Sequence, residues 1–143
     1  MMHIPAKALC IFRYQDKVLL SHGHDPSKNE NYLRPIGGTI EFGETSLEAV
    51  KREVLEEINQ QIIHTKLLGV LENLFTFDAQ AGHEIIFVYE AEFFDKTLYS
   101  QVEINGCETN GSTYIAEWVN TQLLASGQYP VYPKGIVQWL CKE

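Results

Sequence analysis

Gly38-Thr-Ile-Glu-Phe-Gly-Glu44, answered further on by Arg52-Glu53-Val54-Leu55-Glu56-Glu57, is the stretch on which the reading of this chain turns. Between the two blocks, Thr45 and Glu48 have the spacing of a capping box, which predicts a helix over Thr45–Ile58. Asn59 stands where that helix should stop, and Asn tolerates the left-handed conformation of a helix end. At about 100° per residue, spacings of three and four bring Glu53, Glu56 and Glu57 onto one face. Leu47, Val50, Val54 and Ile58 fall on a neighbouring face and are expected to pack into the core. Ala49, one turn before Glu53, leaves the acidic side uncrowded.

Carboxylates gathered on one helix face repel one another by a few tenths of a kcal/mol per exposed pair. Lys51 and Arg52 lie to the side of the three acids rather than opposite them. A hard cation turns that repulsion into attraction, and carboxylate oxygens suit magnesium or manganese. An ordinary solvated acidic face accounts for the helix taken alone. What precedes it shifts the balance: Gly37-Gly38 lets backbone approach a metal or phosphate closely, and Glu44 sits at the helix entrance.

Outward from this centre, Ala6–Tyr14 reads as a strand, with Lys17–Ser21 as its hairpin partner after a turn at Gln15-Asp16. His22–Asn31 reads as a polar loop, and Tyr32–Ile36 as an extended run into the glycine pair. Ile62–Phe77 and His83–Phe93 read as two long strands joined through Asp78–Gly82, and Thr113–Asn120 as a further strand. Lys134–Cys141 reads as a short closing helix after Pro130 and Pro133. Strands mixed with helices predict an α/β fold, a mixed sheet covered on both sides.

The bulk properties narrow the function. A chain of 143 residues suits one domain with a real core. Its apolar runs are too short for a membrane span and its start has no secretory pattern, so a cytoplasmic protein is expected. A net charge of −8 argues against broad binding of a nucleic-acid polymer, whose phosphates would meet no basic stripe. It allows a small phosphorylated substrate, on the condition that cations stand between the negative groups. Cys10, Cys107 and Cys141 show no metal-ligand spacing, and Cys10 is expected as buried filler.

The central stretch resembles the Nudix box, Gly-x5-Glu-x7-Arg-Glu-U-x-Glu-Glu-x-Gly-U, where U is a bulky aliphatic residue. Gly38, Glu44, Arg52, Glu53, Val54, Glu56 and Glu57 match it position by position. Asn59 stands where the motif has Gly, and Gln60 where it has an aliphatic residue. Asn59 can take the same backbone shape at modest cost, and Ile62 or Ile63 is available to replace the apolar contact.

The resemblance implies a Nudix-type α/β/α sandwich, with a mixed β-sheet between helices, over 1–143 as a single domain. It implies a metal-dependent pyrophosphohydrolase that cuts a phosphoanhydride bond in a nucleoside di- or triphosphate or a nucleoside-diphosphate-linked substrate. On that footing Glu53, Glu56 and Glu57, with the Gly38 carbonyl, are expected to bind Mg2+ or Mn2+. Arg52 and Glu44 complete the catalytic set, Arg52 by holding the acids in position. Glu53 is the first choice for general base, although a loop carboxylate takes that role in parts of the family. Glu117 is expected as a further ligand, since Glu117-Trp118-Val119 resembles the late Glu-Trp strand of MutT-type members. A plain surface role for Glu117 stands beside that, and Glu103 and Glu108 rank behind it.

Two further residues are expected to meet substrate. Arg34, four residues before Gly38, has a guanidinium suited to a phosphate or to a surface ion pair. His83 and Glu84 face opposite sides of a strand, and His83 is preferred for the cleft. His22 and His24 form an HxH pattern for which solvent exposure is the stronger reading. Phe75, Phe77, Tyr89, Trp118 and Trp139 have the spacing of core aromatics, with base stacking the alternative. The region sixteen residues past the box lacks the Pro or Tyr of some subclasses, which weighs against ADP-ribose and dinucleoside-polyphosphate substrates. The rival readings are a Nudix-fold nucleotide-binding module without hydrolysis and an isomerase, whose cysteine has no counterpart here. The assembly is expected to be a monomer or homodimer.

Overall fold

The computed structural model describes residues 2–141. The first strand decides the layering. Ala8-Leu-Cys-Ile-Phe12 is apolar at every position, and every one of these residues is buried, so the strand must be covered on both faces. That strand, β1 (Ala6–Ile11), sends Ala8 and Cys10 into one core cluster and Leu9 and Ile11 into a second.

After it come β2 (Arg13–Tyr14), β3 (Lys17–Asp25), β4 (Glu30–Arg34), β5 (Ile36–Thr39) and α1 (Ser46–Ile58). Then follow β6 (Ile62–Phe77), β7 (Gln80–Phe93), a 3-10 turn over Lys96–Ser100, β8 (Glu103–Cys107) and β9 (Thr113–Asn120). Two short helices close the described chain, α2 (Thr121–Ala125) and α3 (Val137–Leu140). One sheet has the order β5-β1-β7-β6, mixed because β1 and β7 run parallel while the other pairs are antiparallel. The other, wholly antiparallel, has the order β2-β3-β9-β8 with β4 also on β3. Each core cluster draws on both sheets. The first is capped by Ala49, Val50, Val54 and Ile58 of α1, the second by Leu124, Ile136 and Leu140 of the terminal segment. This is the expected α/β/α layering.

Helix α1 begins and ends where its sequence says. Thr45 Oγ1 accepts from the Glu48 amide at 3.1 Å and Glu48 Oε1 from the Thr45 amide at 3.0 Å. Asn59 takes φ 55°, ψ 43°, and its amide donates to the Leu55 carbonyl. Burial of Val50, Val54 and Ile58 stabilises this docking by roughly 1.5–3 kcal/mol per side chain.

Several expectations need correction. Leu47 is 36% exposed rather than packed, since the buried stripe of the helix runs through Ala49, Val50, Val54 and Ile58. His22–Asn31 is mostly strand: β3 and β4 stay paired from Ser21↔Arg34 to Asp25↔Glu30, leaving only a short turn. That turn is held by Asp25, whose buried carboxylate accepts from the Ser27, Lys28 and Asp78 amides. The extended run expected over Tyr32–Ile36 is divided between β4 and β5, and β5 continues through Gly37-Gly38 to Thr39. The closing helix shrinks from Lys134–Cys141 to Val137–Leu140. Strand β8, helix α2 and the 3-10 turn were not anticipated. Cys10 is fully buried, and burial pushes its thiol far above the ordinary range, as suits inert filler. Among the described residues no helix is long and apolar enough to cross a membrane.

Candidate active site

Arg52 is the hub of the acidic stretch. Its Nε and Nη2 donate to the two oxygens of Glu44 at 2.6 and 2.9 Å, a bidentate fork. Its Nη1 donates to Glu53 Oε1 at 3.0 Å and to Glu56 at 3.2 Å, while Nη2 also reaches the Thr39 carbonyl at 3.0 Å. The helix supplies this geometry locally: Arg52 and Glu56 are one turn apart, and Glu44 is folded back by the Glu41 amide on its Oε1. Those hydrogen bonds, Arg52 first and the Glu41 amide second, hold the Glu44 carboxyl down at about 2. The same acids push the Arg52 guanidinium further up. Glu44 and Arg52 therefore form a permanent ion pair around which the other acids are arranged.

Glu53 is 5% exposed and presses on β5. A Cβ built on Gly38 would lie 2.5 Å from the Glu53 carboxyl, so only glycine leaves room for this contact. Glu57 is half-buried and accepts from the Tyr114 hydroxyl at 2.7 Å. Burial, and then the neighbouring Glu53 carboxylate, raise the proton affinity of Glu57 well above the carboxylate range; Tyr114 and Arg34 oppose the shift. Burial and Glu57 push the Tyr114 hydroxyl up as well, so it remains a donor. A carboxylate whose proton affinity is raised by burial and by a neighbouring carboxylate is in the state that a cation relieves.

As placed, Glu53 and Glu56 turn toward Arg52 and Glu57 toward Tyr114. Among the described residues no group of three or more His, Cys, Asp or Glu side chains is set to hold a metal ion. The donor set nonetheless fits a hard divalent cation. It is all oxygen, it is anionic, and the missing Cβ at Gly38 opens the β5 backbone to the Glu53 carboxyl.

The described residues also form a cleft of about 650 Å3, which neither Gly38 nor any residue of α1 lines. Tyr32, Phe75, Phe77 and Tyr132 supply its aromatic wall, with Tyr32 edge-on to Phe77 and Tyr132 at 6.4 and 5.2 Å. Lys7, Lys28, Arg34 and Lys134 line it against only Asp25 and Glu84, a cationic hollow in an acidic protein. Arg34 joins the two regions: it lines the cleft, and its charge lowers both Glu57 and Tyr114.

The expected site residues thus separate. Gly38, Glu44, Arg52, Glu53, Glu56 and Glu57 come together, with Arg34 beside them. Glu117 does not join them. Along β9 the alternation turns Tyr114, Ala116 and Trp118 toward α1, while Glu117 pairs with Leu20 on the opposite face and meets His22 at 3.5 Å. Of the two lower-ranked acids, Glu108 comes closer, its charge acting on Tyr32 and Tyr114. His83 is absent from the cleft lining; its neighbour Glu84 is the one that faces in, because Glu84 shares a strand face with Ile86. His24 pairs with Asn31 at 2.8 Å, so the HxH pattern does not converge. Phe75 and Phe77 line the cleft, whereas Tyr89 and Trp118 pack under α1 and Trp139 covers Gly69. Tyr114, Tyr32 and Lys7 were missed; strand parity counted back from Trp118 would have found Tyr114.

The model of the NUDIX domain matches residues 2–140. Among solved structures, the chain is similar to a NUDIX hydrolase from Nitrosomonas europaea, with 19% identity and a TM-score of 0.65 over 96% of this chain and 86% of that one. It is similar to a MutT protein from Bacillus halodurans at 21% identity and TM-score 0.61, covering 96% and 80%. A MutT NUDIX hydrolase from Burkholderia pseudomallei matches at 20% and 0.61, covering 85% and 86%. At these identities the structural likeness concerns the fold.

Proposed function

We propose, for a chain that belongs to the NUDIX family of phosphoanhydride hydrolases, a metal-dependent pyrophosphohydrolase acting on a nucleoside di- or triphosphate or a nucleoside-diphosphate-linked substrate. The observation that carries this reading is the Arg52 clasp, which sets Glu53 against Gly38, with Arg34 linking the acidic face to a nucleotide-sized cleft. Members of the family generally need divalent cations. Here Glu53, Glu56 and Glu57, with the Gly38 carbonyl, would hold Mg2+ or Mn2+. Such an ion, when bound, supplies neutralising charge for the diphosphate and a lowered pKa for the attacking water.

The protein's own groups do the rest. Arg52 and Glu44 fix the acidic face before substrate arrives. Glu53, held at one oxygen by Arg52, is the group that accepts a proton from water as general base. Tyr114 holds Glu57 in place. Arg34 meets a phosphate at the junction with the cleft, and the aromatic wall takes the base. We read residues 1–143 as one cytoplasmic domain, working as monomer or homodimer.

The test is a panel of nucleoside triphosphates and diphosphate-linked nucleotides, assayed for released phosphate and pyrophosphate with Mg2+ or Mn2+. Release is expected to stop with EDTA and return with added cation. Release that persists after thorough chelation, or tight binding with no release, sinks the proposal.

A further inference from the structure

The cleft holds a polar row that hydrolysis does not use. Its floor is apolar, Leu9 and Ile86, except where Glu84 and Asn73 stand side by side, each 8% exposed. They are cross-strand partners in the β6–β7 pairing. Lys7 Nζ lies 2.6 Å from Glu84 Oε2, and Asn73 Nδ2 donates to Glu84 Oε1 across 3.4 Å. In order, the row offers donor, acceptor, acceptor, donor. A carboxylate has about four lone-pair sites, and this one commits a single partner to each oxygen. Buried ion pairs are weak sources of stability compared with apolar packing. This one lines the same cleft as the rings of Tyr32, Phe75, Phe77 and Tyr132.

We propose that this row reads the edge of a guanine base, and that Glu84 is the residue that selects it. The inference rests on the cleft being the nucleotide site proposed above. Along O6, N1, N2 and N3, guanine presents acceptor, donor, donor, acceptor, the complement of Lys7, the two Glu84 oxygens and Asn73. Adenine sets its N1 acceptor against the carboxylate and has no N–H at position 2. Hypoxanthine lacks only the 2-amino group. Uracil and cytosine turn a carbonyl toward a Glu84 oxygen. A base acceptor set against a buried carboxylate oxygen is repelled and loses its own donors, so polar rows of this kind discriminate sharply.

Calorimetric titration of the full chain with GMP, IMP and AMP, in EDTA, tests the base alone, since monophosphates carry no anhydride to cut. GMP is expected to bind at least tenfold tighter than IMP or AMP. Glu84→Gln, which offers one acceptor in place of two, is expected to weaken GMP by about tenfold and to erase its advantage over IMP. Circular dichroism of the variant reports its fold, and the wild-type comparison stands without it. Equal affinities in the wild type, no binding of any of the three, or a guanine preference that survives in a folded Glu84→Gln protein overturns the proposal. Phosphate release from the triphosphate panel is scored apart. Base-indifferent hydrolysis overturns the guanine assignment and spares the hydrolytic reading, whereas guanine-selective binding without release does the reverse.

Discussion

Every group of the Arg52 clasp lies between Thr39 and Glu56, whereas the cleft takes Lys7 from β1, Arg34 from β4, Asn73 from β6, Glu84 from β7 and Tyr132 from the connection before α3. The first region is a product of nearby sequence: α1 and the loop before it place its acids, and the adjoining β5 supplies Gly38 and Thr39. The second exists only once two sheets have met. The difference extends to charge: the helix face gathers anions around one guanidinium, while the cleft gathers cations around Glu84 and Asp25. Chemistry and recognition are therefore separable, and perturbing each should leave a different kinetic signature.

The largest effect is expected at the helix. Glu53→Gln removes the proposed base while keeping the shape that packs on Gly38. Turnover should fall by about 100- to 10,000-fold, with the melting temperature preserved. Near-normal turnover in that variant would falsify the assignment of chemistry to this face. A tenfold effect is expected at the cleft. Tyr32→Leu removes a ring that abuts Phe77 and Tyr132, and loss of one stacking face is worth about 1–3 kcal/mol. KM should rise by roughly tenfold while kcat holds. A fall in kcat at constant KM would show that the two regions do not divide the labour.

Legibility followed the same division. The capping box, the Asn59 stop and the grouping of Glu53, Glu56 and Glu57 all depend on neighbours within a few residues, and each was read from the sequence. Long strands were equally clear: Ile62–Phe77 and Thr113–Asn120 have the bounds expected of them. The failures required knowledge of partners. His22–Asp25 looks like loop because its polar residues alternate with glycine, yet β4 pairs with all of it. Choosing between His83 and Glu84 needed to know which face of β7 closes the cleft. Glu117 went wrong for the same reason, since parity is visible in sequence but the identity of the covered face is not. A buried Glu84 contradicts a residue type's ordinary preference, and Lys7, 77 positions away, makes it tolerable together with Asn73 across the strand pair.

A pH titration sharpens the comparison without any substrate. Glu57 binds its proton more tightly in the folded, metal-free protein than in the unfolded chain, through burial and Glu53. A raised carboxyl contributes stability that is complete below the ordinary carboxylate range and is lost as pH climbs through the raised value. In EDTA, urea unfolding should therefore show stability declining as pH rises from the ordinary carboxylate range to about 8, and Glu57→Gln should flatten that decline. Glu44 contributes with the opposite sign, its stabilisation lost only in strong acid as pH falls toward about 2, outside the window tested. Added Mg2+ should bind more tightly as pH rises, because each ion displaces the Glu57 proton. A slope unchanged in Glu57→Gln would show that the decline arises elsewhere.

The smallest effect belongs to the one motif position whose departure the backbone explains. Asn59 holds φ 55°, ψ 43° at the end of α1, the shape for which the motif has Gly. Left-handed backbone costs most residues about 1–2 kcal/mol, and Asn less because its short polar side chain bonds locally. Glycine removes that strain but gives the unfolded chain more freedom, a loss of roughly 0.5–1 kcal/mol. The two terms nearly cancel. Asn59→Gly should therefore shift the stability from urea unfolding by no more than about 0.5 kcal/mol and leave turnover as it was, since the acids of α1 lie upstream of the cap. A loss above about 1 kcal/mol would mean that the Asn59 side chain anchors the turn into β6, making the departure from the motif a structural requirement of this chain.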